Sequence, residues 1–132
     1  MKSVLPAIPL VLLFASAMAG ADVVEERLAH YRTQGAGGFS ATAGEALWNN
    51  STTDARTGQS RSCTACHTAD LRVAGKHAET GKRIEPMKPA VNPARLTDAR
   101  QIEKWFLRNC KWTFGRECTP QEKGDFLMFI RN

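Results

Sequence analysis

Cys63-Thr64-Ala65-Cys66-His67 is the stretch on which the reading of this chain turns. Two thiols three residues apart lie near one another on a helical turn, and an imidazole follows at once. Each thiol can add across a vinyl group, and the x-x spacing matches the separation of the two vinyl groups of a haem. The adjacent imidazole then reaches the iron from the proximal side. C-x-x-C-H is therefore the attachment signature of c-type haem. A chance occurrence in this composition has odds of about 0.002.

Other uses of these residues fit less well. A thioredoxin-like C-x-x-C needs a preceding strand and a βαβ setting, whereas a polar loop precedes Cys63. A zinc site with four cysteine ligands would recruit Cys110 and Cys118, whose seven intervening residues are too wide for the usual knuckle. A plain disulfide between Cys63 and Cys66 leaves His67 without a role. A haem-free thiol or zinc module thus stands as the alternative from another class.

The chain has 132 residues, 42% hydrophobic and 23% charged, with a net charge of +5. That is one domain's worth, and it excludes a collagen, a long coiled coil and a polytopic membrane protein. Met1-Lys2 is followed by an uncharged, mostly apolar run to Gly20. Ala17-Met18-Ala19 has the small-x-small pattern of a signal-peptidase site. Residues 1–19 read as a signal peptide and residues 20–132 as the working domain, with cleavage after Ala21 the second choice. An uncleaved membrane anchor is the rival; Pro6, Pro9 and the cleavage pattern count against it.

Export places the protein in the periplasm, where spare cysteines are commonly bridged. Cys110 and Cys118 are then expected to form a disulfide, with Gly115 letting the segment turn back; so short a closure stabilises by about 2–3 kcal/mol. Cleavage removes Lys2 as the only charge and leaves +4, which suits an acidic protein partner. No Lys/Arg run with interleaved aromatics points to nucleic acid.

Helical patterns dominate the rest. Val24, Leu28 and Tyr31 share one face of a helix expected from Val23 to about Thr33, capped by Asp22. Ala43 to Asn49 reads as a second helix. Asn50 to Ser62 reads as a mobile loop, and Cys63 to Asp70 as a short helix. Leu71 to Arg95, punctuated by Gly75, Gly81, Pro86, Pro89 and Pro93, is an irregular segment of the length that wraps something. A strong helix runs from Asp98 to Asn109, with Ile102, Trp105, Phe106 and Asn109 on one face. Thr119-Pro120-Gln121-Glu122 is a capping box that opens a last helix with Phe126, Phe129 and Ile130 as its buried stripe. The expectation is an all-α domain of four or five short helices and long loops. Its thin core is completed by a large apolar cofactor, one covalent haem c.

Gly44-Glu45-Ala46-Leu47-Trp48, followed by C-x-x-C-H, resembles the N-terminal part of class I cytochromes c, in which the glycine lets the first core helix cross the C-terminal helix closely. Ile102-Glu103-Lys104-Trp105, Arg108-Asn109-Cys110, Gly115-Arg116-Glu117-Cys118-Thr119 and Glu122-Lys123 resemble the SHP (sphaeroides haem protein) family, small bacterial class I c-type cytochromes that bind oxygen. Gly81-Lys82, Ile84 and Pro86 fit that family's middle loop. The resemblance implies the class I fold, His67 as proximal ligand, Asn109 as distal ligand and a Cys110–Cys118 bridge beside it. It further implies that the asparagine leaves the iron on reduction, opening a site for O2 or another diatomic, and that a dihaem cytochrome c supplies the electrons. No catalytic residue stands out, and the reading is of an electron-accepting, ligand-binding haem protein rather than an enzyme.

The residues alone leave the distal ligand open. Asn109 continues an apolar face, yet an asparagine there also suits a helix end bonding to nearby backbone. Met87, after Pro86, resembles the Pro-Met dipeptide that supplies an axial thioether, which would make an ordinary electron carrier. It lies only 20 residues past His67, against 42 for Asn109, and class I cytochromes place the distal loop late. His77 sits in a polar stretch and reads as a surface residue; a vacant or water-filled position is the remaining option. A thioether is soft and holds Fe(II), whereas an amide oxygen is hard, weak and better suited to Fe(III). Trp105 and Phe106 are candidates for the haem pocket wall, with core packing as their plainer role.

Overall fold

The computed structural model describes residues 22–132; the expected signal peptide falls outside them. Helix α1 (Val23–Thr33) opens where Asp22 accepts from the Val24 N–H at 3.0 Å. Helix α2 (Ala41–Asn49) begins two residues earlier than its apolar pattern suggests, because Ser40 caps it through the Ala43 N–H at 3.2 Å. Two-residue strands β1 (Thr52–Thr53) and β2 (Ser60–Arg61) pair antiparallel ahead of the one-turn helix α3 (Thr64–His67). A second ribbon, β3 (Gly75–Lys76) with β4 (Arg83–Ile84), follows it. Helices α4 (Ala99–Phe114) and α5 (Pro120–Arg131) complete the chain. The fold is all-α in its core, and none of the described helices is long and apolar enough to cross a membrane.

Several expectations change. The helix expected to end at Asn109 runs on to Phe114 and stops at Gly115, whose left-handed φ of 70° closes it. Cys110 and Thr113 continue its buried face, so the cysteine pair belongs to a helix end and not to a free loop. The segment expected to be mobile, 50–62, is tied down. Asp54 accepts from the Arg56 and Thr57 N–H groups, each at 2.9 Å, and pairs with Arg61 at 2.7 Å. Arg61 donates to the Trp112 carbonyl at 3.1 Å, and the Thr52 hydroxyl donates to the Thr113 carbonyl. Short polar residues that read as a loop here anchor a ribbon on α4.

Helix α5 carries the core. Leu127, fully buried, packs with Val24, Leu28, Tyr31 and Ile102 on the α1 side. Phe126 and Ile130 pack with Trp48, Leu71, Cys110 and Cys118 on the other. The expected stripe of Phe126, Phe129 and Ile130 is therefore too narrow, since α5 has neighbours on two sides and Phe129 is only half-buried. Helices α2 and α5 cross where Gly44 meets the Asp125 backbone, and a Cβ at Gly44 would overlap the Asp125 carbonyl oxygen.

A polar network joins α1, α4 and α5. The buried Tyr31 hydroxyl donates to Glu103 at 2.6 Å, and Lys123 pairs with the other carboxylate oxygen at 2.8 Å. Burial pushes Tyr31 well above the ordinary phenol range, reinforced by Glu103. Burial also pushes Glu103 upward, but Lys123, the Tyr31 hydroxyl and Arg27 outweigh it and hold the carboxyl below its usual range. A depressed carboxyl contributes stability above its unfolded value of about 4.3 and loses it as pH falls through the folded value.

Two outcomes follow for thermal unfolding of the holoprotein. Gly44→Ala, which must push α2 off α5, is expected to lose about 1–3 kcal/mol, and an unchanged midpoint would contradict the close crossing. Native stability is expected to fall with pH below about 4, and Glu103→Gln to have a shallower acid limb; parallel acid limbs would remove Glu103 from that account.

Candidate haem site

The motif occupies α3. The Ser62 hydroxyl accepts from the Ala65 N–H at 3.2 Å to start the turn, and the His67 N–H donates to the Cys63 carbonyl at 3.0 Å. Thr68 ends it with φ 66°, a left-handed conformation that a β-branched residue seldom takes. Two bonds hold Thr68 there: the Trp48 indole N–H donates to its carbonyl at 2.9 Å, and its hydroxyl donates to the Asp70 carbonyl at 2.7 Å. The Trp48 ring also stands 5.4 Å from the His67 ring and packs on Phe126 and Phe129. On the other side Gly75 lies so close that a Cβ would overlap the Cys66 carbonyl oxygen, and the Ala78 N–H donates to the Cys66 sulfur at 3.4 Å.

The chemistry of this turn fits a c-type haem. Cys63 and Cys66 are not bridged to each other. Burial pushes the Cys63 thiol up to about 11, partly offset by a hydrogen bond with Thr113. Burial, with the charge of Arg95 adding to it, pushes His67 down to about 4, so its imidazole is neutral at pH 7. Its Nδ1 is buried without a hydrogen-bond partner, and a neutral buried imidazole with an unmet nitrogen suits a metal ligand. The two unbridged thiols match two thioethers. The zinc reading loses its ligands: Cys110 and Cys118 are bonded to each other, and no cluster of three or more His, Cys, Asp or Glu among the described residues could hold a metal ion.

Cys63, Met87 and Phe106 pack against one cluster, which also contains the Cys110–Cys118 bridge. Asn109 is half-buried, one turn past Phe106 and next to Cys110. It lies five residues inside the end of α4, and its amide makes no hydrogen bond to a described residue, so the helix-end role for it does not hold. Met87 is half-buried on a turn pinned from several sides. Its N–H donates to the Leu71 carbonyl at 2.9 Å, and Arg95 and Asn92 donate to the Pro86 carbonyl at 3.0 and 3.2 Å. His77 is exposed, and its Nδ1 accepts from the Glu79 and Thr80 N–H groups at 3.3 and 3.2 Å, which fits the surface role. Trp105 is 46% exposed and belongs to neither core cluster, so core packing is not its role.

Several residues around the motif are absent from the sequence reading of the site. Trp48 is legible as a helix residue within the class I resemblance but not as a contact of the motif, since its bond to Thr68 depends on how α2 lies over α3. Thr113 and Arg95 reach the motif through the extension of α4 and the fold of the middle loop, neither of which has a local signature.

Comparison with known proteins gives a consistent picture. The family described as a domain of unknown function, DUF1924, matches residues 34–130. The chain is 38% identical over 118 residues to the cytochrome c-type protein SHP of Cereibacter sphaeroides, spanning 89% of this chain and 90% of that protein. It is 37% identical over 73 residues to cytochrome c'' of Methylophilus methylotrophus, spanning 55% of this chain and 51% of that protein. Among solved structures, oxidised SHP, described as an oxygen-binding cytochrome c, superposes with a TM-score of 0.72 at 38% identity, covering 82% of this chain and 95% of SHP. Oxidised cytochrome c'' superposes with a TM-score of 0.71 at 29% identity, covering 82% of this chain and 92% of its own.

Acid–acetone treatment of the holoprotein should leave all colour on the chain, with the mass of one haem retained, and thiol labelling after unfolding without reductant should find no free cysteine. Colour in the organic phase would refute the thioethers at Cys63 and Cys66; label in the 110–118 peptide would refute the bridge.

Proposed function

This chain belongs to the DUF1924 family, among the class I c-type cytochromes of the SHP type, and from that membership we propose that it works in the periplasm as a monohaem cytochrome whose distal ligand, Asn109, lets go on reduction. One covalent haem c is its cofactor, supplying a one-electron couple and, when reduced, a coordination position for O2 or another diatomic. Cys63 and Cys66 hold the group, and His67 offers the iron a neutral imidazole. Electrons come from a redox partner protein, a dihaem cytochrome c by the resemblance.

The observation that supports the choice of Asn109 is its place: half-buried on α4, one turn past Phe106, with an amide that no described residue occupies. An amide left free by the rest of the chain is available to an iron without breaking a bond within the protein. Its oxygen is a hard, neutral donor that prefers ferric iron. Cys110, the next residue, is bonded to Cys118, so the backbone that presents the amide is fixed. The relatives favour the same chemistry: SHP is described as oxygen-binding, and the solution structure of cytochrome c'' addresses haem-ligand detachment. Met87 supports a second reading, an ordinary thioether-ligated carrier, because it packs on the same cluster as Cys63 and Phe106.

Absorption spectra before and after dithionite separate the two. With Asn109 as a labile ligand the ferrous protein is high-spin and takes up CO at once; with Met87 it is low-spin and resists CO. Asn109→Ala is expected to alter the ferric spectrum and Met87→Leu to leave it nearly unchanged. Loss of a near-infrared thioether–Fe(III) band in Met87→Leu, with Asn109→Ala silent, would overturn the proposal in favour of the carrier.

A further inference from the structure

Helix α4 shows an outward face that stability alone does not explain. Arg100, Lys104 and Arg108 stand at i, i+4 and i+8, all exposed, and none enters an ion pair with a described residue. They make a ridge about 12 Å long. Like charges at this spacing destabilise a helix by about 0.2–0.5 kcal/mol per pair. The first turn itself carries Arg100 and no acidic residue, so the Asp98 cap, which accepts from the Arg100 and Gln101 N–H groups, is the one negative group at the positive end of the helix dipole. The one acidic residue of α4, Glu103, turns away to Tyr31 and Lys123. On the β3–β4 ribbon Lys76 and Lys82 are also exposed and unpaired among the described residues, but Arg83 there pairs with Glu85, and Arg72 after α3 pairs with Asp70, so three unpaired cations in line on one helix face set the ridge apart.

Two exposed apolar residues border the ridge, Trp105 at 46% and Leu107 at 43%. The Trp105 ring lies 5.4 Å from the Lys104 ammonium and 5.6 Å from the Arg108 guanidinium. The patch is too small to insert into a lipid surface, which needs a wide apolar face.

We infer that the Arg100–Lys104–Arg108 ridge is the docking surface for an acidic electron-donor protein. The inference rests on the reading of the chain as an electron-accepting cytochrome. Charge complementarity selects the occupant: three unpaired cations on one helix face match carboxylates on a partner and steer its approach. The place on the fold supports it as well. The inner face of the same helix bears Phe106 and Asn109, so a protein seated on the ridge sits one helix diameter, about 10 Å, from the residues that border the motif.

The test is stopped-flow reduction of the ferric holoprotein by reduced flavodoxin, an acidic one-electron donor, at ionic strengths from about 10 to about 150 mM. The native rate is expected to fall about tenfold over that range. The ridge variant R100E/K104E/R108E is expected to be about tenfold slower at low salt and to lose the salt dependence. The variant K76E/K82E/R83E, with the same change in net charge on the β3–β4 ribbon, is expected to stay within about twofold of native. Equal slowing of both variants would reduce the effect to net charge and overturn the inference, as would slowing of the ribbon variant alone. The ridge variant should melt close to native, since like-charge repulsion along the ridge is unchanged in size and Arg100→Glu suits the positive end of the helix dipole; a sharp drop would make the ridge structural. Sedimentation of the native protein with phosphatidylglycerol vesicles, lost in the ridge variant while its flavodoxin rate stays native, would reassign the surface to a membrane. CO binding after dithionite keeps the two readings apart. A ridge variant that binds CO but is reduced slowly supports both, and a native protein that refuses CO fails the ligand-binding reading while leaving the docking rates to be judged alone.

Discussion

The crossing of α2 over α5 at Gly44 is the contact from which the site is built. Without a Cβ there, the α2 backbone comes down onto the Asp125 carbonyl. One turn later, Trp48 lands against Phe126, Phe129 and the His67 ring together. Its indole N–H then holds the Thr68 carbonyl, and the left-handed residue that ends α3 stays where it is. Any side chain at position 44 separates the helices, lifts Trp48 and loosens the turn that carries Cys63, Cys66 and His67. The motif supplies the donor atoms, and a glycine nineteen residues before its first cysteine fixes their orientation.

The opposite wall is α4, which is held at two places. Near its start the Tyr31–Glu103–Lys123 network ties it to α1 and α5. Near its end the Cys110–Cys118 bond ties it to the residue before the α5 capping box. Asn109 lies between these anchors. The β1–β2 ribbon adds a third tie through Thr52 and Arg61 to the last turn. A wall fixed this firmly would let a weak donor such as the proposed Asn109 matter, because the geometry does not relax to compensate for a poor bond.

Much of this was legible in the sequence, for reasons that can be stated. The extent of α1, the capping box of α5 and the haem-attachment motif are all encoded within a few neighbouring residues. So is the Cys110–Cys118 pairing, once export is granted. What was missed depends on distant partners. The last turn of α4 continues past Asn109 because Cys110 and Thr113 find a core to enter, which a reading that treated the cysteines as loop residues overlooks. The 50–62 segment has no apolar pattern, yet Asp54 and Arg61 order it by polar bonds alone. Trp105 shares its helical face with Ile102 and Phe106 by spacing, but the protein core ends short of it, and periodicity does not report where a core ends.

The two candidates for the distal position also differ in how each could move. Met87 sits on a turn whose backbone is bonded at Met87 itself and at Pro86, and a long thioether side chain reaches out from it. Such a side chain adapts to either oxidation state, so nothing in its setting favours release. Asn109 has a short side chain on a helix pinned at both ends, and only its χ angles are free. A short side chain on a fixed backbone has few positions, one bonded and the others withdrawn. Release then needs a rotamer change and no helix shift, an event on the ps–ns scale for a side chain that is not fully enclosed. In the proposed role, a hard donor of low strength on a rigid support would behave as a latch set by the charge on the iron. The same support carries the ridge on its outer side, so the helix that receives a donor protein in the inferred arrangement would also present the proposed latch.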